Sequence, residues 1–380
     1  MKLKNETQKP LVCIMFGIAL FTSSMFISCT KDNPVTPAVS NETVMTDASS
    51  VNIAKKSHGS YVPPPTTTPT PTTTTPPPPT TTTTTPTTTV TTYKTSAPLN
   101  LSGQSNITIS GLAIAGGSAI GIHLTNCSNV HITKCRISNS STDGIQLSNC
   151  TNITIDSCFI TNVRAGVNAM YCTTVKVNNN QFLNMNGPFP SGNFVQFNNV
   201  NGGGTQIKYN KCEDIAGVAQ HPQDGLSVYQ CNGLAGDSIQ VIGNWIRGGQ
   251  VQNDSGGGAG IVLGDVGGSY QVARYNIIVN GGFVGAQVQG GIHIKMDHNT
   301  VYSSSTPYSN CGICYGNYSG KASSDVNMSY NKVKYYQTSG AEMDAWWDPS
   351  TAVQPAGWST NILKASIDAS ILPTTIITMN

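Results

Sequence analysis

The feature that most constrains the fold is a short repeat in the middle of the chain. Three segments align without gaps, Asn-Ile-Thr-Ile from Asn106, Asn-Val-His-Ile from Asn129 and Asn-Ile-Thr-Ile from Asn152. Their spacing of about 23 residues is typical of proteins that stack one structural unit on the next. Apolar residues alternate with polar ones in each segment, which predicts a β-strand with one buried face.

Each repeat continues through a bend into a second predicted strand and then a third. The third strands begin with glycine and a branched residue, as in Gly121-Ile122-His123-Leu124, Gly144-Ile145-Gln146-Leu147 and Gly166-Val167-Asn168-Ala169. Alternation places Ile122 and Leu124 inside and His123 outside. Three strands per repeat therefore predict a coil whose outer faces are lined by polar residues.

The bend between the first and second strands is marked by one column of residues. The column contains Cys135, Cys158, Asn180, Asn210, Asn244, Asn276, Asn299 and Asn331. A chain that bends at the same place in every coil leaves backbone groups unpaired inside, and stacked Asn amides can bond to the coils above and below. Cysteine is a small apolar substitute at the same place. The column predicts a ladder of buried side chains.

This pattern resembles the right-handed parallel β-helix family, which includes pectate lyases and NosD-like repeat proteins. The resemblance covers about nine coils, and no specific enzyme family matches. It implies an all-β, single-domain right-handed parallel β-helix. With a strand spacing of about 4.8 Å, nine coils would form a rod roughly 40 Å long.

The N-terminal region has the composition of an export signal and a linker. Lys2 and Lys4 precede an apolar run that ends at Ser28-Cys29, so we predict a signal peptide at residues 1–28. Cys29 resembles the lipidated residue of bacterial lipoproteins, although Phe26 stands where leucine is usual. An ordinary signal peptide or membrane anchor is the alternative. The match predicts an exported protein, lipid-anchored at the cell envelope and displayed on the outer membrane, with no other membrane contact.

Four further segments follow the signal. We predict a polar tether at residues 29–62, a Pro/Thr-rich linker at 63–92, the β-helix at 93–350 and a C-terminal cap or tail at 351–380. The linker cannot fold because it has no apolar surface to bury, and proline keeps it extended. Trp346, Trp347 and Trp358 near the C-terminal end are expected to cover the last coil; platforms for sugars are the alternative.

Charge excludes one class of partner. Charged residues are 10% of the chain and the formal net charge is +2, far from the basic excess of nucleic-acid-binding proteins. Surfaces rich in Asn, Ser and Thr suit the hydroxyl groups of sugars, so we predict a polysaccharide or other glycan as partner. The sequence requires no cofactor and leaves Ca²⁺ open, it suggests no metal site, and it predicts a monomer.

Cysteines recur at the coil period. Cys127, Cys150 and Cys172 form one column, and Cys135 and Cys158 belong to another. Repetition of a structural slot predicts stacked, buried thiols. A disulfide between neighbouring coils is the alternative in an exported protein.

Inserts of the later coils predict a groove. They all fall between the second and third strands, at residues 184–193, 216–224, 247–259 and 303–310. Since they occupy one corner of successive coils, they project from one side and form a wall beside the third strands. The family resemblance implies that a polysaccharide lies there, on substrate-binding residues Gln146, Asn168, Gln196 and Asp265. An ordinary solvated face is the alternative.

Three residues are candidates for catalysis. His221 and Asp224 could share a proton, and Arg247 from the next coil could hold the carboxylate of an acidic sugar, which would serve β-elimination or hydrolysis. Each has an ordinary alternative: a turn residue for Asp224, a surface side chain for His221, and a bond to loop carbonyls for Arg247.

Enzyme patterns known on this fold are mostly missing. The paired aspartates of polygalacturonases, the Asp-Pro-His-Glu segment of mannuronan epimerases and the basic cluster of many pectate lyases are absent from the sequence. We therefore predict a surface lipoprotein that binds an extracellular polysaccharide, and we leave open whether it also cleaves it as a lyase or hydrolase. A non-catalytic adhesin or structural spacer is the alternative.

Overall fold

The structure is a computed structural model that describes residues 92–188, 192–215, 224–248 and 258–378. They lie in the unit Thr84–Asn380. The predicted signal, Cys29 and most of the linker lie outside the described residues. None of the described helices is long and apolar enough to cross a membrane.

The described strands form three parallel sheets. Sheet I has the order β1-β4-β7-β10-β13-β16-β19-β22-β25-β28, where these strands are β1 (Lys94–Ser96), β4 (Leu112–Gly117), β7 (Arg136–Ser140), β10 (Phe159–Val163), β13 (Gln181–Met185), β16 (Lys211–Glu213), β19 (Trp245–Arg247), β22 (Ile277–Val279), β25 (Thr300–Ser303) and β28 (Lys332–Tyr335). Sheet II contains β2 (Leu99–Ser102), β5 (Ile122–Thr125), β8 (Ile145–Ser148), β11 (Val167–Met170), β14 (Val195–Asn198), β17 (Leu226–Tyr229), β20 (Ala259–Asp265), β23 (Val284–Val288), β26 (Cys311–Tyr315) and β29 (Ala345–Trp347). Sheet III contains β3 (Ser105–Ser110), β6 (Ser128–Thr133), β9 (Thr151–Asp156), β12 (Thr173–Asn178), β15 (Gln206–Lys208), β18 (Ile239–Ile242), β21 (Ser269–Arg274), β24 (Gly291–Asp297) and β27 (Ser323–Ser329).

Every coil visits the sheets in the predicted order. A sheet III strand leads to a sheet I strand and then to a sheet II strand, and each strand pairs with its counterparts in the coils before and after. The short helices η1 (Trp358–Thr360) and η2 (Ala369–Ile371) come after the last strand. Ile122 and Leu124 are fully buried, as the alternation predicts, while His123 is partly exposed. The predicted β-helix architecture is confirmed.

The predicted ladder of asparagines runs through the corner between sheets III and I. Nδ2 of Asn244 donates to Oδ1 of Asn276 and to the carbonyl oxygen of Ile207, both at 2.9 Å. Its Oδ1 accepts from the backbone N–H and from Nδ2 of Asn210, both at 3.0 Å. The same pattern continues beyond the predicted end, because Nδ2 of Asn331 donates to Oδ1 of Asn361. The ladder satisfies backbone N–H groups at the bends from Cys158 to Asn331.

Cysteines fill equivalent slots. The backbone N–H of Cys127 donates to Sγ of Cys150 at 3.4 Å, and that of Cys150 donates to Sγ of Cys172 at 3.3 Å. The nine cysteines of the described residues are free and buried. Stacked thiols rather than disulfides between coils therefore occupy these columns.

The C-terminal segment covers the last coil and then turns back along sheet I. Trp347 and Trp358 pack against the main core at the end of the coil stack, whereas Trp346 is 39% exposed. Further on, Leu372 and Ile376 are buried in a small cluster that includes Val279 of sheet I. The outer face of sheet I is thus partly covered by the chain itself, so it is not a free groove.

Asp214, at the corner after β16, is a buried carboxyl group. Its Oδ1 accepts from the backbone N–H of Met185 at 2.7 Å, and its Oδ2 has no hydrogen-bond partner. Burial raises its pKa to about 8. The native protein therefore holds this side chain in the protonated, neutral form at neutral pH.

This burial predicts how stability depends on pH. Between the ordinary pKa of an aspartate and about 8, the folded state binds a proton at Asp214 that the unfolded state lacks, so the free energy of unfolding falls as pH rises. We expect a loss of about 3–4 kcal/mol between about pH 5 and about pH 8. In Asp214→Asn this loss should be reduced, and urea unfolding at both pH values measures it. Glu342→Gln, at an exposed position, should keep the slope of the parent; an unchanged slope in Asp214→Asn would contradict the assignment.

Candidate functional site

The outward side chains of sheet II form one continuous row. His123 pairs with Gln146, Gln146 with Asn168, Asn168 with Gln196 and Gln196 with Ser227 in the strand register. The first four are partly exposed. Neighbouring strands lie about 4.8 Å apart, so the row presents a polar group at that interval. The structure brings together the three predicted substrate-binding residues of the early coils.

The orientation of Asn168 is fixed by a buried ion pair. Asp143 is fully buried and accepts from Nε and Nη2 of Arg164 at 3.0 and 2.7 Å. Its second oxygen accepts from Nδ2 of Asn168 at 3.2 Å. Since Asp143 uses both oxygens in this way, it has a structural role, and it holds the amide of Asn168 in one orientation.

Asp224 occupies the corresponding corner at β17, but in different surroundings. It is 7% exposed, and its Oδ1 accepts from the backbone N–H of Ala259 at 3.0 Å. Burial raises its pKa to about 7, with the charge of Asp265 contributing in the same direction. The described residues give it no ion pair. Asp224 is therefore a carboxylic acid that can exchange a proton near neutral pH.

A β-bulge places Asp265 opposite Tyr229. Ser227 pairs with Val262, but Tyr229 pairs with Asp265, so β20 contains one more residue than β17 over this stretch. Gly264 has a φ of +63°, and a Cβ there would lie 2.1 Å from the carbonyl oxygen of Gly290. Only glycine fits this position. Bulges of this kind re-aim a side chain, and they are frequent next to active sites.

A buried glutamine from sheet III holds the bulge. Oε1 of Gln271 accepts from the backbone N–H of Gly264 at 2.8 Å, and its Nε2 donates to the carbonyl oxygen of Cys231 at 2.8 Å. Burial raises the pKa of Asp265 to about 6. Burial also raises the pKa of Tyr229, and the charge of Asp265 raises it further. The bulge thus fixes a second carboxyl group of raised pKa in the coil after Asp224.

Ser227 lies between the two carboxyl positions along β17. It is 1% exposed, and its Oγ has no hydrogen-bond partner. A buried hydroxyl without a partner is costly, and such groups occur where a ligand completes the bonding. Asp224, Ser227, Tyr229 and Asp265 together are called the carboxyl site below.

Comparison with known proteins identifies the architecture. A family model described as a right-handed β-helix region matches residues 97–264. The described residues fold as a right-handed β-helix. No curated protein matches it by sequence.

Several solved structures resemble this β-helix protein. The catalytic domain of a GH87 α-1,3-glucanase, solved with tetrasaccharides, is 12% identical, with a TM-score of 0.45 over 71% of this chain and 63% of that domain. An alginate lyase from Paenibacillus sp. str. FPU-7 is 13% identical, with a TM-score of 0.41 over 72% of this chain and 89% of its own. PfbA, a surface adhesin of Streptococcus pneumoniae, is 11% identical, with a TM-score of 0.37 over 62% of this chain and 64% of its own. The chain spans less than two thirds of the glucanase domain, and these likenesses concern the fold alone.

Of the other two predicted catalytic residues, the structure describes only Arg247, and it does not lie beside Asp224. His221 lies outside the described residues. Arg247 ends β19 in sheet I, where Nη1 and Nη2 donate to the carbonyl oxygens of Thr374 and Pro373 at 2.8 and 2.7 Å. Its guanidinium also lies 3.7 Å from Glu213. The predicted role of Arg247 at the β-helix groove is therefore corrected: it fastens the C-terminal segment to sheet I.

This placement makes a prediction for Arg247→Gln. The variant should unfold at lower urea, with a loss of about 1–2 kcal/mol, because hydrogen bonds from a charged donor to the C-terminal segment are removed. Hydrogen exchange should increase in residues 372–378 and remain unchanged in β17 and β20. A matched variant, Lys211→Gln in the preceding strand of the same sheet, should leave the C-terminal segment protected. Faster exchange in the carboxyl site would contradict this assignment.

Proposed function

We propose that the protein binds a polysaccharide along the polar row of sheet II and cleaves a glycosidic bond at the carboxyl site. The observation that carries this proposal is the pair of carboxyl groups on adjacent coils, next to a buried hydroxyl without a partner. Asp143, at the corresponding corner of an earlier coil, is ion-paired with Arg164. Asp224 and Asp265 have raised pKa values instead, which suits proton transfer near neutral pH.

The row that leads to the site supports the binding part of the proposal. Gln146, Asn168 and Gln196 each offer an amide with donors and an acceptor, which is the bonding pattern of sugar hydroxyls. They stand in register, so a repeating ligand meets the same group in each coil. Because Asp143 fixes the amide of Asn168, less side-chain entropy is lost there when a ligand binds.

The two carboxyl groups suit different roles. With the higher pKa, about 7, Asp224 is the group that stays protonated and donates a proton to the departing glycosidic oxygen. With a pKa of about 6, Asp265 is more often ionised and accepts a proton from the attacking side. Opposite requirements for the two groups give a bell-shaped dependence of rate on pH.

The direct test is an activity and binding screen with the purified full chain. Affinity electrophoresis in gels that contain different polysaccharides measures binding, and the appearance of new reducing ends measures cleavage. Retarded migration together with chain shortening supports the proposal. Retardation without cleavage would leave a glycan-binding adhesin, and neither result on a broad panel would support a structural spacer.

Display at the cell surface is part of the same proposal. The apolar run, Ser28-Cys29 and the Pro/Thr-rich linker support export with a lipid on Cys29. In bacterial cells the parent should incorporate labelled fatty acid and fractionate with membranes, whereas Cys29→Ser should incorporate none. Cys13→Ser, in the same apolar run, is the matched control and should behave as the parent. Label retained by Cys29→Ser would refute the anchor.

A further inference from the structure

Sheet II differs from the other two sheets in charge. Basic residues of the described strands lie on sheet I, at Lys94, Arg136, Lys211, Arg247, Lys332 and Lys334, and on sheet III, at Lys176, Lys208, Arg274 and Lys295. None of the ten described strands of sheet II contains lysine or arginine. Its ionisable side chains near the carboxyl site are acidic or phenolic. The described strands of the face that carries the polar row therefore offer no lysine or arginine.

The corners on either side of sheet II supply little positive charge. Arg164 is already bound to the buried Asp143, and Lys321 lies beside Gly267, after the end of β20. The segments 216–223 and 249–257, which join sheet I strands to β17 and β20, contain no lysine or arginine in their sequence. No described cation is among the groups that shift the pKa of Asp224 or Asp265.

The two carboxyl groups of the carboxyl site limit which sugars can bind there. A polyuronate carries one carboxylate per residue, and bringing it onto a buried face that already holds two carboxyl groups costs free energy by like-charge repulsion at low dielectric. β-Elimination from a uronate also requires a cation to neutralise the carboxylate beside the carbon that loses its proton. The described strands of sheet II contain no lysine or arginine that could balance either charge.

We infer that the substrate is a neutral polysaccharide and that the reaction is hydrolysis rather than β-elimination. This inference rests on the proposed function of the same site. In the reaction, the bond between the anomeric carbon and the glycosidic oxygen breaks, and the oxygen of water forms the new bond to the anomeric carbon. The departing oxygen receives a proton from Asp224, and the water loses a proton to Asp265. The buried hydroxyl of Ser227, which has no partner in the described protein, bonds a sugar hydroxyl at the same site.

Matched polymers that differ only in charge test the inference with the full chain. β-1,4-Mannan is compared with polymannuronate, and fully methyl-esterified polygalacturonate with its free acid. We expect the neutral member of a bound pair to be retarded at least about tenfold more strongly, a difference of about 1.4 kcal/mol. Cleavage should give reducing ends without the ultraviolet absorbance of an unsaturated product. Preference for a uronate, or formation of the absorbing product, would overturn the inference and leave the proposed function standing; failure to bind any member would overturn both.

A variant with an added positive charge gives a second, independent test of the inference. Gln196→Lys introduces a cation in the row and should shift binding toward the uronate member of the same pair by about tenfold. Gln240→Lys, on β18 of sheet III and equally partly exposed, is the matched control and should change the preference little. Equal shifts in the two variants would mean that net charge rather than the row determines binding, and would overturn the inference.

Discussion

Replacing Asn244 by alanine should lower the free energy of unfolding by about 4 kcal/mol, which is a large share of the stability of a typical domain. The side chain is fully buried and takes part in four hydrogen bonds. Alanine removes all four bonds and leaves the backbone N–H of Asn210 without the acceptor that it has in the parent. Urea unfolding followed by circular dichroism measures the loss.

An exposed asparagine provides the control for this prediction. Asn232 bonds to Asn201 of the coil before through its backbone N–H and its Nδ2, at 2.9 and 3.0 Å, but it is exposed to solvent. Water can replace the lost amide, so Asn232→Ala should cost less than about 1 kcal/mol. Similar losses in the two variants would show that the buried ladder has no special role in stability.

The ladder could be predicted from sequence because its cause is local and repeated. The bend recurs in every coil, so the same side chain recurs at the same place, from Cys135 to Asn331. The extension to Asn361 was not predicted, because that residue follows η1 rather than a strand with alternating apolar residues. Columns of repeated residues therefore predict the regular part of the architecture. They miss positions of the ladder that are occupied by residues outside the repeats.

The carboxyl site was only partly predictable for a related reason. Asp143-Gly144-Ile145 and Asp224-Gly225-Leu226 look alike in sequence, yet Arg164 neutralises the first aspartate and no described cation neutralises the second. Neighbours in adjacent coils decide the difference, and sequence spacing does not reveal them. The bulge at Gly264 was missed because a glycine near the end of a strand is usually a turn residue.

Arg247 shows that residue spacing alone does not predict contacts with distant parts of the chain. Its proximity in sequence to the insert before β20 suggested a place in the groove, but its partners Pro373 and Thr374 are 126 and 127 residues away. The C-terminal segment that returns along sheet I is not part of a repeat, so the sequence pattern does not predict its position. Removing this arginine from the site also removes the one cation that had favoured an acidic sugar.

Replacing Asp224 by asparagine should lower the rate of glycan cleavage by about 10²–10⁴-fold and leave glycan binding nearly unchanged. The amide keeps an oxygen for the N–H of Ala259 but cannot supply a proton. The parent should have its highest rate between about pH 6 and about pH 7, where one group of the pair is protonated and the other ionised. Residual activity of the variant should lose the alkaline decline that deprotonation of Asp224 causes.

Measurements of stability distinguish the proposed catalytic role of Asp224 from a structural role. Because the folded protein favours the protonated form of Asp224, the neutral amide should make the protein as stable as the parent at low pH and more stable at about pH 8. Asp143→Asn is the matched control, since the same residue type precedes glycine at the same corner. It breaks the buried pair with Arg164 and changes the contact with Asn168, so it should destabilise the protein by about 3 kcal/mol and weaken glycan binding. At saturating glycan the folded fraction should keep its cleavage rate. If Asp143→Asn lost cleavage as severely, or if Asp224→Asn retained it, the carboxyl site would not be where a glycosidic bond is broken.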